Sequence, residues 1–108
     1  MGEQQVAALL QRKGFTLLES NYRTRQGEVD LILCKADLYS FVEIKTRTKH
    51  FPEYSRVITL NKQRRIALAA RHYLISKNIS SNTYVIRFDV AFVINGVIEY
   101  IENAFCPS

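Results

Sequence analysis

Cysteine is scarce in this chain of 108 residues: Cys34, inside an apolar run, and Cys106, near the C-terminus, are the only two. Without paired spacing they exclude a disulfide framework and a cysteine-based zinc site, and they fit a reducing compartment, the cytoplasm. Long apolar stretches are missing too. No run approaches the ~20 residues that span a bilayer, and the first residues carry no signal-peptide core. Neither a membrane helix nor secretion is therefore expected. Internal repeats, low-complexity segments and linkers are absent, and the length suits one domain, residues 1–108, around a single modest core.

Acids are in short supply across the middle of the chain. Overall there are 15 Lys+Arg against 10 Asp+Glu, a net charge of +5. From Lys45 through Lys77, however, nine Lys or Arg accompany one acid, Glu53. Such a distribution steers polyanions, and it lies next to the stretch that carries the most informative acids.

That stretch is Gly27 to Lys45, GEVDLILCKADLYSFVEIK. It parses as strands Val29–Cys34 and Ser40–Ile44 joined by a polar turn at Lys35-Ala36-Asp37. Alternation puts Glu28 and Asp30 on one face and Val29, Leu31 and Leu33 on the other. It likewise sets Glu43 and Lys45 opposite Val42 and Ile44. A carboxylate between β-branched residues needs a partner. Two carboxylates and an ammonium converging on one face suit a divalent cation and a polarised water; a cross-strand ion pair on a solvated face is the plainer alternative.

Elsewhere, residues 2–13 have the spacing of an amphipathic helix closed by Gly14, with Glu3 on its apolar side. Glu3 is either a favourable charge in the first turn or an acid leaning over the sheet towards Asp30. Phe15–Arg23 suits a strand, making an antiparallel meander with the hairpin. Residues 46–58 lack a steady period and read as a mobile loop. Thr59–Lys77 is the clearest helix, capped by Thr59 or Asn61, with a stripe of Ile66, Ala69, Ala70, Tyr73 and Leu74. Gln63 falls on that inward side, either as an ordinary half-exposed amide or as a group that orients a water or phosphate. Tyr84–Ile94 is a long strand, Asn95-Gly96 signals a tight hairpin, and Val97–Ile101 returns. Arg87 and Asp89 share a face and read first as a structural ion pair. Residues 102–108 look like a loose tail.

The order α-β-β-β-α-β-β, with Asp30, twelve residues, then Glu43-Ile44-Lys45, resembles the PD-(D/E)XK nuclease superfamily, and within it the archaeal Holliday-junction resolvases. Those proteins carry an acid on the first helix, an Asp, an E-x-K and a glutamine on the next helix, matched here by Glu3, Asp30, Glu43 with Lys45, and Gln63. The blocks GEVDLI (27–32), FVEIKTR (41–47), NKQRRI (61–66) and RFDV (87–90) resemble the YraN-type family of predicted endonucleases over nearly the whole chain. The superfamily's usual proline before the Asp is replaced by Val29.

The resemblance implies a restriction-endonuclease-like α/β fold, a mixed central sheet flanked by helices, and metal-assisted hydrolysis of DNA phosphodiesters, with branched or junction DNA as a candidate substrate. Asp30, Glu43 and the main-chain carbonyl of Ile44 would hold Mg²⁺ or Mn²⁺, and Lys45 would position the water and offset charge on the phosphate. Glu28 and Glu3 would complete a second cation site or hold the metal's waters, and Gln63 would steady the water or phosphate. Arg47, Lys49, Lys62, Arg64 and Arg65 would contact flanking phosphates. A homodimer, joined along the Tyr84–Ile101 hairpin edge, would serve paired cuts. Two rival classes use the same residues: a catalytically silent nucleic-acid binder exploiting tyrosines such as Tyr54 and Tyr73, and a structural partner in a DNA-processing assembly.

Overall fold

The computed structural model describes residues 2–47 and 58–107, apart from the Arg47 side chain. The element order is α1 (Gly2–Arg12), β1 (Thr16–Arg23), β2 (Glu28–Lys35), β3 (Leu38–Arg47), α2 (Leu60–Ser76), β4 (Val85–Ile94) and β5 (Val97–Ile101). This is the expected α-β-β-β-α-β-β order. The expected loop falls mostly on residues 48–57, outside the described residues.

The five strands form one mixed sheet in sequence order. β1–β2, β2–β3 and β4–β5 are antiparallel, whereas β3 and β4 run parallel from Leu38↔Val85 to Arg47↔Ile94. Parallel neighbours need a crossover, and α2 supplies it. Turn chemistry agrees with the backbone: Gly14 closes α1 at φ +96, and Asn95-Gly96 joins β4 to β5 with φ of 51 and 81.

Strand alternation divides the core between the helices. On the α1 face, Val6, Ala7 and Leu10 pack on Leu31, Leu33, Val42, Ala91 and Val93. On the α2 face, Ile66, Ala69, Ala70 and Tyr73 pack on Val29, Ile32 and Phe41. Thr59 caps α2, its Oγ1 accepting from the Lys62 N–H at 3.1 Å. Tyr73 is core, 4 % exposed, and so is no stacking platform for bases.

One expectation fails in β2. Val29 shares a cluster with Ile32 on the α2 face instead of joining Leu31 and Leu33, so alternation breaks at residues 29–31. Across from the break, Asn21 takes a left-handed φ of 54 between the Ser20↔Leu31 and Tyr22↔Val29 pairs. On the other side, β2–β3 pairing stops at Leu31↔Val42. Beyond that pair the two strands diverge into a fork.

The C-terminal segment is not loose. The Asn103 N–H donates to Asp89, the Ala104 N–H donates to the Phe88 carbonyl at 2.7 Å, and Phe105 stacks on Phe88. Hydrogen bonds to β4 and an aromatic contact hold residues 103–105 where composition alone suggests fraying.

Candidate active site

Asp30 lies in the fork, just past the last β2–β3 pair. Its Oδ2 accepts the main-chain N–H of Ile44 at 2.7 Å, standing in for a ladder partner. Its carboxylate neighbours that of Glu43 closely enough for each to act on the other's charge. Glu43 itself is 5 % exposed and faces α2, where Lys62 Nζ stands 3.5 Å from Oε2. Burial, foremost, and then the negative charge of Asp30 push the Glu43 carboxyl up to about 7; the Lys62 ammonium opposes them.

The α1 side of the fork opens into a cavity of about 350 Å³ lined by Gly2, Glu3, Gln4, Asp30, Ile44 and Thr46. Glu3 thus reaches the wall that Asp30 occupies, and its Oε1 accepts from Asn21 Nδ2 at 2.9 Å. It is also the acid of the first helical turn. Asn21 had no sequence signal beyond being an asparagine in a strand. Its backbone breaks the alternation and its amide holds Glu3.

α2 is brought to this fork by a backbone contact. A Cβ on buried Gly27 would lie 1.8 Å from the Arg65 carbonyl oxygen, so only glycine lets the start of β2 sit directly on the helix. Arg65 Nη1 also donates to the Gln26 carbonyl at 3.5 Å. Lys62, one helical turn before Arg65, is thereby set over Glu43.

Several candidate residues stand elsewhere. Gln63 spends its amide on the chain before its own helix, Nε2 donating to the Ile58 carbonyl at 2.9 Å, and it lines a separate crevice with Leu60, Arg64, Cys106 and Pro107. Glu28 is half-buried at the start of β2 opposite Arg23. Among the described residues no three Asp, Glu, His or Cys side chains gather closely enough to hold a metal, so neither Glu28 nor Glu3 forms a three-carboxylate cage with the pair. Lys45 is half-exposed on the Glu43 side of β3, and among the described residues nothing ties up its ammonium. Arg64 is exposed. The Arg47 side chain, Lys49 and Tyr54 lie outside the described residues.

A second buried acid is structural. Asp89 is 0 % exposed and accepts from Arg87 Nε at 2.9 Å, Arg87 Nη2 at 3.0 Å, the Asn103 N–H at 2.8 Å, and the Ser40 and Tyr100 hydroxyls. Every lone pair is engaged, leaving none for a ligand. The Arg87–Asp89 pair is the ion pair expected, and the network around it joins β3, β4, β5 and the tail.

A fold of this kind, with a carboxylate pair in a strand fork beneath a basic helix, defines a small α/β domain with an acidic centre. The profile of the family described as Uncharacterised protein family UPF0102 matches residues 2–93. The UPF0102 protein of Alkaliphilus metalliredigens is 40% identical over 109 residues, covering 97% of this chain and 94% of its own. That of Nitrosomonas europaea is 44% identical over 111 residues, covering 98% and 91%. That of Chloroflexus aurantiacus is 41% identical over 83 residues, covering 77% and 68%. The chain belongs to the UPF0102 family.

Proposed function

We propose that this protein is a metal-dependent nuclease of the PD-(D/E)XK type that hydrolyses DNA phosphodiester bonds. The observation that carries the reading is the meeting of the Asp30 and Glu43 carboxylates in the β2–β3 fork, with the Ile44 main chain beside them and Lys45 next in the strand. A buried carboxylate beside a half-buried one is unfavourable unless one takes a proton or a cation joins them. Mg²⁺ or Mn²⁺ fits this donor set: hard oxygen ligands are present, and Mg²⁺ needs only one or two carboxylates because it retains its waters.

In this reading Asp30, Glu43 and the Ile44 carbonyl would hold the cation, and Glu28 would be left outside the site. When bound, the cation supplies a water acidified enough to attack phosphorus. Lys45, whose ammonium is not committed among the described residues, offsets negative charge on the phosphate oxygens as the bond to the leaving oxygen breaks. Lys62 counterbalances Glu43, and with a cation bound there its ammonium would be available to the backbone phosphate. Glu3 orders solvent on the α1 side of the cavity. Arg64, Arg65, Arg47 and Lys49 serve flanking phosphates, which bind without reading sequence.

Branched DNA as substrate implies paired cuts, hence a two-fold dimer. β5 is one of the two edge strands of the sheet and presents Val97 at 70 % exposure, a surface suited to pairing with a second copy. No helix among the described residues is long and apolar enough to cross a membrane. A cytoplasmic site of action goes with two free cysteines.

The test is a panel of linear, flap and four-way DNA incubated with Mg²⁺ or Mn²⁺. Cleavage by the wild type, lost in Asp30→Asn and in chelator, supports the reading. Metal-independent binding with no cleavage of any member, equal in both proteins, would favour the silent binder instead.

A further inference from the structure

A separate, basic cavity lies at the turn between β1 and β2. It measures about 630 Å³ and is lined by Arg23, Thr24, Arg25, Gln26 and His72. We propose that it is a phosphate subsite, which grips the backbone of a nucleic acid about four nucleotides from the phosphate lying over Asp30 and Glu43. The inference rests on the polyanion side of the functional reading and is independent of whether the acidic pair cleaves.

Hydrogen bonds tie down the turn that forms one wall. Thr24 Oγ1 accepts from the Gln26 and Gly27 N–H groups at 3.2 and 3.1 Å, and the Thr24 N–H donates to the Gly27 carbonyl at 2.8 Å. Arg23 and Arg25 flank this locked residue. The turn is pinned to α2 through the Gly27–Arg65 backbone contact. On the opposite wall, His72 Nδ1 shares a 2.6 Å hydrogen bond with Tyr22 OH, and the Tyr22 ring packs edge-on against buried Tyr73. Since Nδ1 is taken, Nε2 is the ring nitrogen left to meet a ligand.

The cavity has donors and lacks acids. Arg23, Arg25 and His72 make no ion pair with a carboxylate among the described residues, although Glu28 stands across from Arg23 in the ladder. Two unpaired guanidinium forks beside an imidazole match the geometry of a phosphodiester, which Arg binds through two parallel hydrogen bonds.

Position gives the length of the track. Lys62 marks the acidic pair and His72 marks the cavity; ten residues of α-helix separate them, a rise of about 15 Å. One strand of B-DNA advances 3.4 Å per nucleotide, so the two points are about four steps apart. Arg65 and His72 are seven residues apart and fall on one stripe of α2, which would continue the contact between them.

The experiment is fluorescence anisotropy of a labelled 20-base-pair duplex, in chelator to prevent cleavage, across a salt series with the full chain. Arg23→Ala/Arg25→Ala should lower the log–log salt slope by about 1.8, two contacts at about 0.9 each. His72→Ala should weaken binding, and Arg23→Lys/Arg25→Lys should restore the slope. Lys13→Ala, in the turn that precedes the other end of β1, should leave it unchanged. A double alanine variant with wild-type melting and wild-type slope would overturn the subsite. So would no duplex binding by the wild type at low salt, or capture of phosphatidylglycerol vesicles through these arginines with no oligonucleotide bound. Failure of the wild type to cleave DNA, with the slope change intact, would refute the nuclease reading and leave this subsite standing.

Discussion

Lys62 Nζ stands 3.5 Å from Glu43 Oε2, across the gap between the first turn of α2 and the middle of β3. The lysine expected to contact phosphate stands beside the buried acid. Lys62→Met should therefore raise the Glu43 pKa further above its value of about 7, because the one opposing charge is gone. Carboxyl carbon shifts followed by NMR through a pH titration would show it. A Glu43 pKa at or below the wild-type value would contradict the pairing.

Stability in chelator should fall as pH rises through the same range. The folded Glu43 pKa is raised above its ordinary 4.5 to about 7. Below pH 4.5 both folded and unfolded chains hold the proton, and the stabilising effect of protonation is fully present. Between about 4.5 and 7 the unfolded chain releases the proton first, and the folded state loses up to about 3 kcal/mol. Glu43→Gln should flatten this part of the profile and melt higher than wild type at pH 8. Urea unfolding at several pH values checks both; an unchanged slope in Glu43→Gln would assign the pH dependence elsewhere.

Gly27→Ala should destabilise by about 3 kcal/mol, the upper end for overpacking, since the new methyl meets main chain that cannot rotate away. Because Arg65 and Lys62 share the displaced turn, Glu43 should titrate differently in the same variant. A Gly27→Ala protein with wild-type urea midpoint would show that α2 does not rest on this glycine.

Much of this architecture was legible in the sequence. Period-two alternation located β3 and β4, the Ile66–Tyr73 stripe located α2, and Asn95-Gly96 located its hairpin, because each signal is local and agrees with its packing. Asp30 and Glu43 were legible as odd acids in apolar strands. Their meeting was expected from shared parity, yet it arises differently: alternation fails at Val29, and the fork brings the two carboxylates together. That failure depends on Asn21, a residue on another strand whose φ of 54 no pattern in β2 announces. Gln63 was misleading for a related reason. Its inward position was right, but the nearest unsatisfied carbonyl was that of Ile58. The tail was misread because its anchor, Asp89, lies fourteen residues before Asn103 and belongs to β4.

Asp89→Asn should cost about 3 kcal/mol, as expected when one member of a buried ion pair is removed, and lower Tm by well over 10 °C in a domain of this size. The amide would turn donors towards the Asn103 N–H and the Arg87 guanidinium. The Tyr100 phenol, whose pKa burial and Asp89 together push upward, should titrate lower in that variant. Thermal melts and ultraviolet titration test the two halves. Wild-type stability would mean that the network does not hold the tail.

Charge on Lys45 should matter to rate more than to binding. Lys45→Ala should slow cleavage by about 10²–10³-fold, typical of losing one group that stabilises developing charge, with duplex affinity changed by no more than one phosphate contact. A variant cleaving at the wild-type rate would remove Lys45 from the chemistry.

The central claim is that Asp30 and Glu43 together hold a divalent cation, and calorimetric titration of Mn²⁺ and Mg²⁺ into the wild type and Asp30→Asn tests it most directly. The wild type should bind one cation, and Asp30→Asn should bind at least about tenfold more weakly, since one of only two carboxylate ligands is lost. Equal affinity in the two proteins, or no binding by the wild type, would contradict it.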